Sequence, residues 1–339
     1  MNVMDIQTTF DTALSKGAYN AINICLRLKP EERITIITDN ECLEIAASLV
    51  NEIKKVGSDY SVCVIEDYSP RPLLDMPRPI LDDLEKSQVS IFCAKAHTGE
   101  LRSRIQMTSI VNKNRMRHGH MVNINKQIML EAMTADFHKV DELSQRLIEK
   151  ARKAKIIKHT SEAGTDITAE FSPDLKWLKT SGIISPDKWG NLPGGEIFTS
   201  PLNVNGKFVV DGVVGDYLCE KYGDSKDNPL TIYIKDSRIV KMECDNKELL
   251  EEFTAYTMTD ENSNRVGEFA IGTNIAIRNV IGHILQDEKL PTIHMAFGHP
   301  YAEHTGANWI STTHIDCVGV KNSIWFDGIQ VMDKGKFLI

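Results

Sequence analysis

The sequence contains neither a G-x-G-x-x-G fingerprint nor a Walker A signature. After the β-branched run "ITIITD" the turn reads "NECLEIA", with no glycine to let a pyrophosphate approach the backbone. The N-terminal half is therefore expected to be a scaffold and dimerisation platform, not a dinucleotide site. Positive charge is also scarce. A net charge of −8 argues against nucleic acid as the main partner, because a phosphate-binding surface needs an excess of Lys and Arg. No apolar run approaches the ~20 residues that span a bilayer, so no membrane partner is expected. The opening "MNVMDIQTTFDTALSKG" carries acids and no apolar signal core, which makes the cytoplasm the expected compartment. Paired cysteine spacings are missing as well. The seven cysteines (Cys25, Cys42, Cys63, Cys93, Cys219, Cys244 and Cys317) are odd in number, scattered and set mostly in apolar runs, the pattern of reduced, buried thiols. No local group would lower a thiol pKa. Cys317 alone draws notice, because it follows a candidate metal-binding pair. There is no internal repeat and no low-complexity tract.

What is present fits about two domains, since 339 residues exceed a typical single core of ~150. The first, residues 1–155, alternates helical and β-type segments: "ERITIITD", "YSVCVIE", "QVSIFCAK" and "HGHMVNI" are strands separated by helices. That alternation predicts βαβ units and a mostly parallel sheet. Asn40 is the expected N-cap of the helix "NECLEIAASLVNEIKKVG" and Gly57 its stop, while the Pro-rich "DYSPRPLLDMPRP" reads as a surface loop. The charged amphipathic helix in "DFHKVDELSQRLIEKARKAK" bridges the halves. In the second domain, residues 156–339, short strands are joined by Gly, Asp and Asn turns, and only "NKELLEEFTAYTM" and "IAIRNVIGHILQDE" read as helices. The predicted fold is an α/β domain followed by a mixed or antiparallel β-rich domain.

Four of the ten histidines fall within residues 292–320, "TIHMAFGHPYAEHTGANWISTTHIDCVGV". In "THID", His314 and Asp316 lie two apart in a β-type run, so both side chains point to one face. Such a pair serves as two ligands to one metal, as a base with its orienting acid, or as an ordinary surface pair. The small and apolar flanks argue for a buried strand, where polar groups need partners. His294 is a second strand histidine; Tyr301 lies just past the strand, flanked by the loop residues His299 and His304. Upstream, Glu268 stands in the apolar strand "VGEFAIG", where an unpaired carboxylate is costly, and Glu196 follows a Pro-Gly-Gly turn. Three carboxylates, two imidazoles and a phenol supply enough donors for two first-row divalent ions.

"GNLPGGEIFTSP", "GEFAIG", "HMAFGHPY" and "HID", in this order and preceded by "SEAGTDITAEF", resemble the blocks of the aminopeptidase T/S family, also called the thermophilic metalloproteases. The resemblance covers residues 155–339 well and the first half in layout only. It implies a metal site of Glu196, Glu268, His294, Tyr301, His314 and Asp316, two Zn, Co or Mn ions, a homodimer, and removal of N-terminal residues from peptides by a metal-activated water. Tyr301 and Glu268 are then the candidate catalytic residues, and no general base is assigned. The segment between His294 and His314 is shorter than that family leads one to expect. The superfamily also holds 2,5-dihydroxypyridine 5,6-dioxygenase, a mononuclear iron enzyme of similar length. The alternative is therefore one Fe(II) on His294, His314 and Asp316, cleaving a small hydroxylated aromatic, with His299 and His304 lining a substrate pocket. A third reading is a non-catalytic relative kept for binding or assembly; its mark would be broken ligands, and all six residues are intact.

Overall fold

The structure is a computed structural model and describes residues 9–339; the first eight residues of the stretch read for a signal core lie outside the described residues. The chain forms two compact units, residues 9–138 with Gly182–Gly194, and Lys139–Ser181 with Gly195–Ile339. This division differs from a single cut after residue 155 for two reasons. The helix Phe137–Ala151 begins at the division, and its buried Leu147, Ile148 and Ala151 belong to the core of the second unit. The short strand Gly190–Asn191 returns to the first unit and pairs with Arg117–His120.

The first unit is built on a parallel sheet in the order Asp59–Val64, Arg33–Thr38, Val89–Cys93, Arg117–His120, Gly190–Asn191. Helices Leu43–Val56, Arg78–Leu84 and Leu101–Lys113 connect the strands, giving the βαβ units and parallel sheet that the alternation predicts. Asp39, not Asn40, caps the entry to the first helix: its carboxylate accepts from Cys42 N at 2.9 Å, and Gly57 N closes the far end on Ile53 O.

Sheets of this type bind ligands beyond the carboxyl ends of the strands where the strand order reverses. Here that position is filled by ion pairs. Asp39 accepts from Lys95 N at 2.5 Å and faces Arg71 at 3.4 Å, and Arg71 forks onto Glu100, with Nε–Oε1 at 2.6 Å. Asp39, Glu100 and the Arg71 side chain are all buried. The Pro-rich segment that carries Arg71 departs from a plain surface loop. Leu73 and Met76 are buried in the core of this unit, and Leu73 N donates to Glu100.

The second unit has two antiparallel sheets. An eight-stranded sheet runs from Arg238–Glu243 through Asn203–Val210 and Asp166–Glu170 to Lys336–Phe337. A five-stranded sheet has the order His314–Val318, Ile293–Gly298, Val266–Gly272, Glu196–Thr199, Leu178–Thr180. Strict alternation along the inner strands of the smaller sheet gives its two faces different jobs. Ile197, Phe269, Ile271, Ile293, Met295, Phe297, Ile315 and Cys317 all enter one core cluster with Phe208 and Ile232 of the larger sheet. Burial of each such large side chain contributes about 1.5–3 kcal/mol. The intervening residues, Glu196, Glu268, His294, His314 and Asp316, necessarily share the other face.

Two segments differ from their sequence reading. Residues 275–288 form a helix only over Ile284–Asp287, because the Asp287 carboxylate accepts from Ile281 N and His283 N and fixes a turn at Gly282. Asp216, Tyr217 and Leu218, the end of a run read as β, open the short helix Asp216–Tyr222. All seven cysteines are unpaired and buried. Cys317 points into the core, away from Asp316, and burial pushes its thiol well above the ordinary range.

Gly298 ends the His294 strand at φ +106°, and a Cβ there would lie 2.2 Å from Thr313 O. Gly298→Ala is therefore expected to lower stability by at least about 2 kcal/mol, measured by denaturant unfolding. An unchanged midpoint would mean that the strand end adapts.

Candidate metal centre

Pairing in the five-stranded sheet sets the site. Ala296 lies between Glu268 on one neighbouring strand and Asp316 on the other. Gly298 pairs with His314, Ala270 with His294, and Gly272 with Glu196. Each functional side chain thus has an alanine or glycine opposite on one neighbouring strand, which leaves room above the sheet for the longer groups to converge; on the other side Val318 stands opposite His294 and Thr180 opposite Glu196. A bulge at Val266–Glu268 shifts the register just where Glu268 enters.

His294 Nε2 lies 3.4 Å from Glu268 Oε1, 3.5 Å from Glu196 Oε2 and 3.9 Å from Asp316 Oδ1. His314 Nε2 lies 3.5 Å from Asp316 Oδ2 and 3.9 Å from Glu268 Oε2. Donors around a divalent ion with bonds of about 2.0–2.2 Å stand roughly 3–3.5 Å apart, so the set is spaced to hold an ion after small adjustments. His314 Nδ1 donates to His299 O at 2.9 Å, which fixes the ring and turns Nε2 toward the acids. His294 makes its polar contacts through Nε2; its buried Nδ1 has no hydrogen-bond partner among the described residues.

The electrostatics are those of an anionic cage. Burial disfavours charge on both imidazoles, yet Glu268, Glu196 and Asp316 raise His294 to about 9, and Asp316 and Glu268 raise His314 to about 10. Asp316, held against burial by His314 and His294, falls to about 2. Glu268 goes the other way, raised by burial that the two histidines only partly offset. The acids call for positive charge at their centre, which a divalent cation supplies.

Tyr301 sits at φ 50°, in the left-handed region, at the start of the short helix Ala302–Thr305. Its ring lies 4.9 Å from the His314 ring and 5.9 Å from that of Phe198. Burial, then the charges of Glu268 and Asp316, hold its phenol proton well above the ordinary value. His299 Nδ1 accepts from Tyr301 N at 3.0 Å, so His299 positions both Tyr301 and His314. His304 is exposed and faces Glu303 at 3.7 Å. It is not among the groups gathered around His294 and His314.

Three residues of the site escaped the sequence reading. Glu288 offers an oxygen close to His294 and Asp316, and burial pushes its carboxyl up to about 8. The buried Lys289 ammonium lies 2.6 Å from Glu288 Oε1 and 2.7 Å from Glu196 Oε1. Thr180 Oγ1 donates to the same Glu196 oxygen at 2.7 Å. Glu288 ends the segment read as a helix and Lys289 follows it; the only signal is two charges five and six residues ahead of His294. Beside His314 a cleft of ≈ 450 Å³ is lined by Tyr217, Leu218, Tyr256 and Ile315, with Asp216 and Glu252 at its polar side.

The second unit gathers acids and imidazoles on one sheet face, a donor set suited to a divalent ion. The family model described as thermophilic metalloprotease (M29) matches residues 105–335, and the chain belongs to that family. Two solved structures share the fold. Wild-type AmpT from Thermus thermophilus is 15% identical, with a TM-score of 0.71 over 98% of this chain and 100% of that one. The 2,5-dihydroxypyridine dioxygenase from Pseudomonas putida KT2440 is 13% identical, with a TM-score of 0.69 over 97% of this chain and 98% of that one. No curated protein sequence matches the chain.

Proposed function

We propose that the protein is a metal-dependent aminopeptidase-like hydrolase that removes N-terminal residues from peptides. The observation that carries this reading is the convergence of Glu268, His294, His314 and Asp316, with donor atoms 3.4–3.9 Å apart on one buried sheet face. These four residues, with Glu196 Oε2 directed at His294, would hold the ion. A divalent ion bound there lowers the pKa of a coordinated water toward neutrality and polarises a carbonyl. Surplus carboxylates on the same face suit the α-ammonium of an N-terminal residue, the group by which an exopeptidase registers its substrate. Tyr301 keeps its phenol proton and would donate a hydrogen bond to the oxyanion that develops at the scissile carbonyl. The apolar and aromatic wall of the cleft beside His314 is the candidate seat for a substrate side chain.

Removal of one oxyanion donor costs about 10²–10³ in kcat. Tyr301→Phe is therefore expected to lower kcat about 10²-fold with little change in KM, read on aminoacyl-p-nitroanilides. An equal loss in metal content would instead make Tyr301 a ligand.

One observation favours the iron dioxygenase as a second reading. Lys289 holds Glu196 Oε1, and His294, His314 and Asp316 form a two-histidine, one-carboxylate set with Glu268 beside it. A panel of aminoacyl-p-nitroanilides, run beside dioxygen uptake on a dihydroxypyridine with Fe(II)-loaded protein, separates the two. Release of p-nitroaniline supports the hydrolase; ring cleavage with consumption of dioxygen and no amide hydrolysis overturns it.

A further inference from the structure

We propose that Lys289 takes the place of a second cation, so that this centre holds one divalent ion per chain. The inference rests on the metal-centre reading above and goes beyond it in number.

The Lys289 side chain is buried and its Nζ stands between Glu196 Oε1 at 2.7 Å and Glu288 Oε1 at 2.6 Å. Two carboxylates flanking one cation are the surroundings that a dinuclear site gives to a metal, here at the longer separations of an ammonium. The backbone delivers the ammonium there. Lys289 O accepts from Asn274 N at 3.0 Å, and Lys289 N donates to Gln286 O at 2.9 Å. The segment also lies directly on Gly272, the strand partner of Glu196: a Cβ at Gly272 would meet Leu290 O at 1.9 Å and Lys289 C at 2.8 Å.

A carboxylate that bridges two ions must offer both oxygens. Glu196 Oε1 already accepts from Lys289 and from Thr180 Oγ1, so only Oε2, 3.5 Å from His294 Nε2, is left for a metal. The first oxygen of Glu288 is likewise engaged. The donors left over (Glu268, His294, His314 and Asp316, with one oxygen each of Glu196 and Glu288) gather about His294 and make one coordination sphere. A further dication would have to sit against a covalently tethered positive charge in a site from which water is largely excluded, where repulsion is poorly screened.

The full-length protein is stripped with chelator, equilibrated with millimolar Zn²⁺, Co²⁺ or Mn²⁺, freed of unbound metal by rapid gel filtration and counted by inductively coupled plasma mass spectrometry. Wild type is expected to hold one ion per chain with each metal. Lys289→Arg, which keeps the charge, should also hold one. Lys289→Met, which frees Glu196 and Glu288, should hold two. Two ions in wild type, or one in a folded Lys289→Met, overturns the inference while leaving the metal centre standing. No ion in folded wild type overturns both. If circular dichroism shows that Lys289→Met does not fold, the wild-type count decides alone.

Discussion

Asp316→Asn should release the metal and reduce kcat/KM for peptide hydrolysis by about 10³-fold or more, because it removes one of the two carboxylates that face both imidazoles. The fold should survive the change. Asp316 projects from the site face of its strand, whereas Ile315 and Cys317 on the other face keep the core intact. Circular dichroism and metal content are measured on the same preparation as the kinetics. His304→Ala is the matched control: its side chain is exposed and outside the cluster, so activity and metal content should stay within about twofold. Loss of activity in Asp316→Asn with metal retained would move Asp316 from ligand to a role in proton transfer. Unchanged activity would remove the centre from the account altogether.

Glu100→Gln should destabilise the first unit by about 3–5 kcal/mol at pH 7, because it leaves the buried Arg71 without its forked partner. The pH dependence has a definite sign. Against the cost of burial, Arg71 and the N–H groups of Leu73 and His97 hold the Glu100 carboxyl down at about 2, below its ordinary 4.5. A depressed carboxylate contributes stability that is present above the unfolded pKa and lost as pH falls through the folded one. The gap between wild type and Glu100→Gln should therefore be widest above about pH 5 and shrink steadily toward pH 2. Urea unfolding across that range measures it. A gap that is small at pH 7, or that does not narrow with acid, would mean that the Asp39–Arg71–Glu100 cluster is not what secures the end of the parallel sheet.

The sheet that carries the centre was legible because its strands alternate so cleanly. In "HMAFG", "HIDCV" and "GEFAIG" every second residue is apolar, and that pattern alone places the acids and imidazoles on one face once the strands pair. The parallel sheet was legible from β-branched runs separated by helical ones. Sequence failed where charge is buried by tertiary contact. Glu288 and Lys289 look solvated, since no local pattern says that the segment will lie on Gly272 and turn both side chains inward. Arg71, in a Pro-rich stretch, gave no sign of its ion pairs for the same reason. Residues 275–288 read as a helix because Ile277, Ile281, Ile284 and Leu285 fall at helical spacing; the turn set by Asp287 overrides that pattern over most of the segment. His299 and His304, singled out together as loop histidines, divide once the chain is folded. One braces Tyr301 and His314, and the other faces solvent.

The most direct test of the metal centre is an anomalous-difference map from crystals of the full chain equilibrated with Zn²⁺ or Co²⁺. The expected result is a single strong peak about 2.0–2.2 Å from His294 Nε2, His314 Nε2 and an Asp316 oxygen, with Lys289 Nζ still on Glu196. A peak elsewhere in the molecule, or none between these residues at saturating metal, would contradict the account.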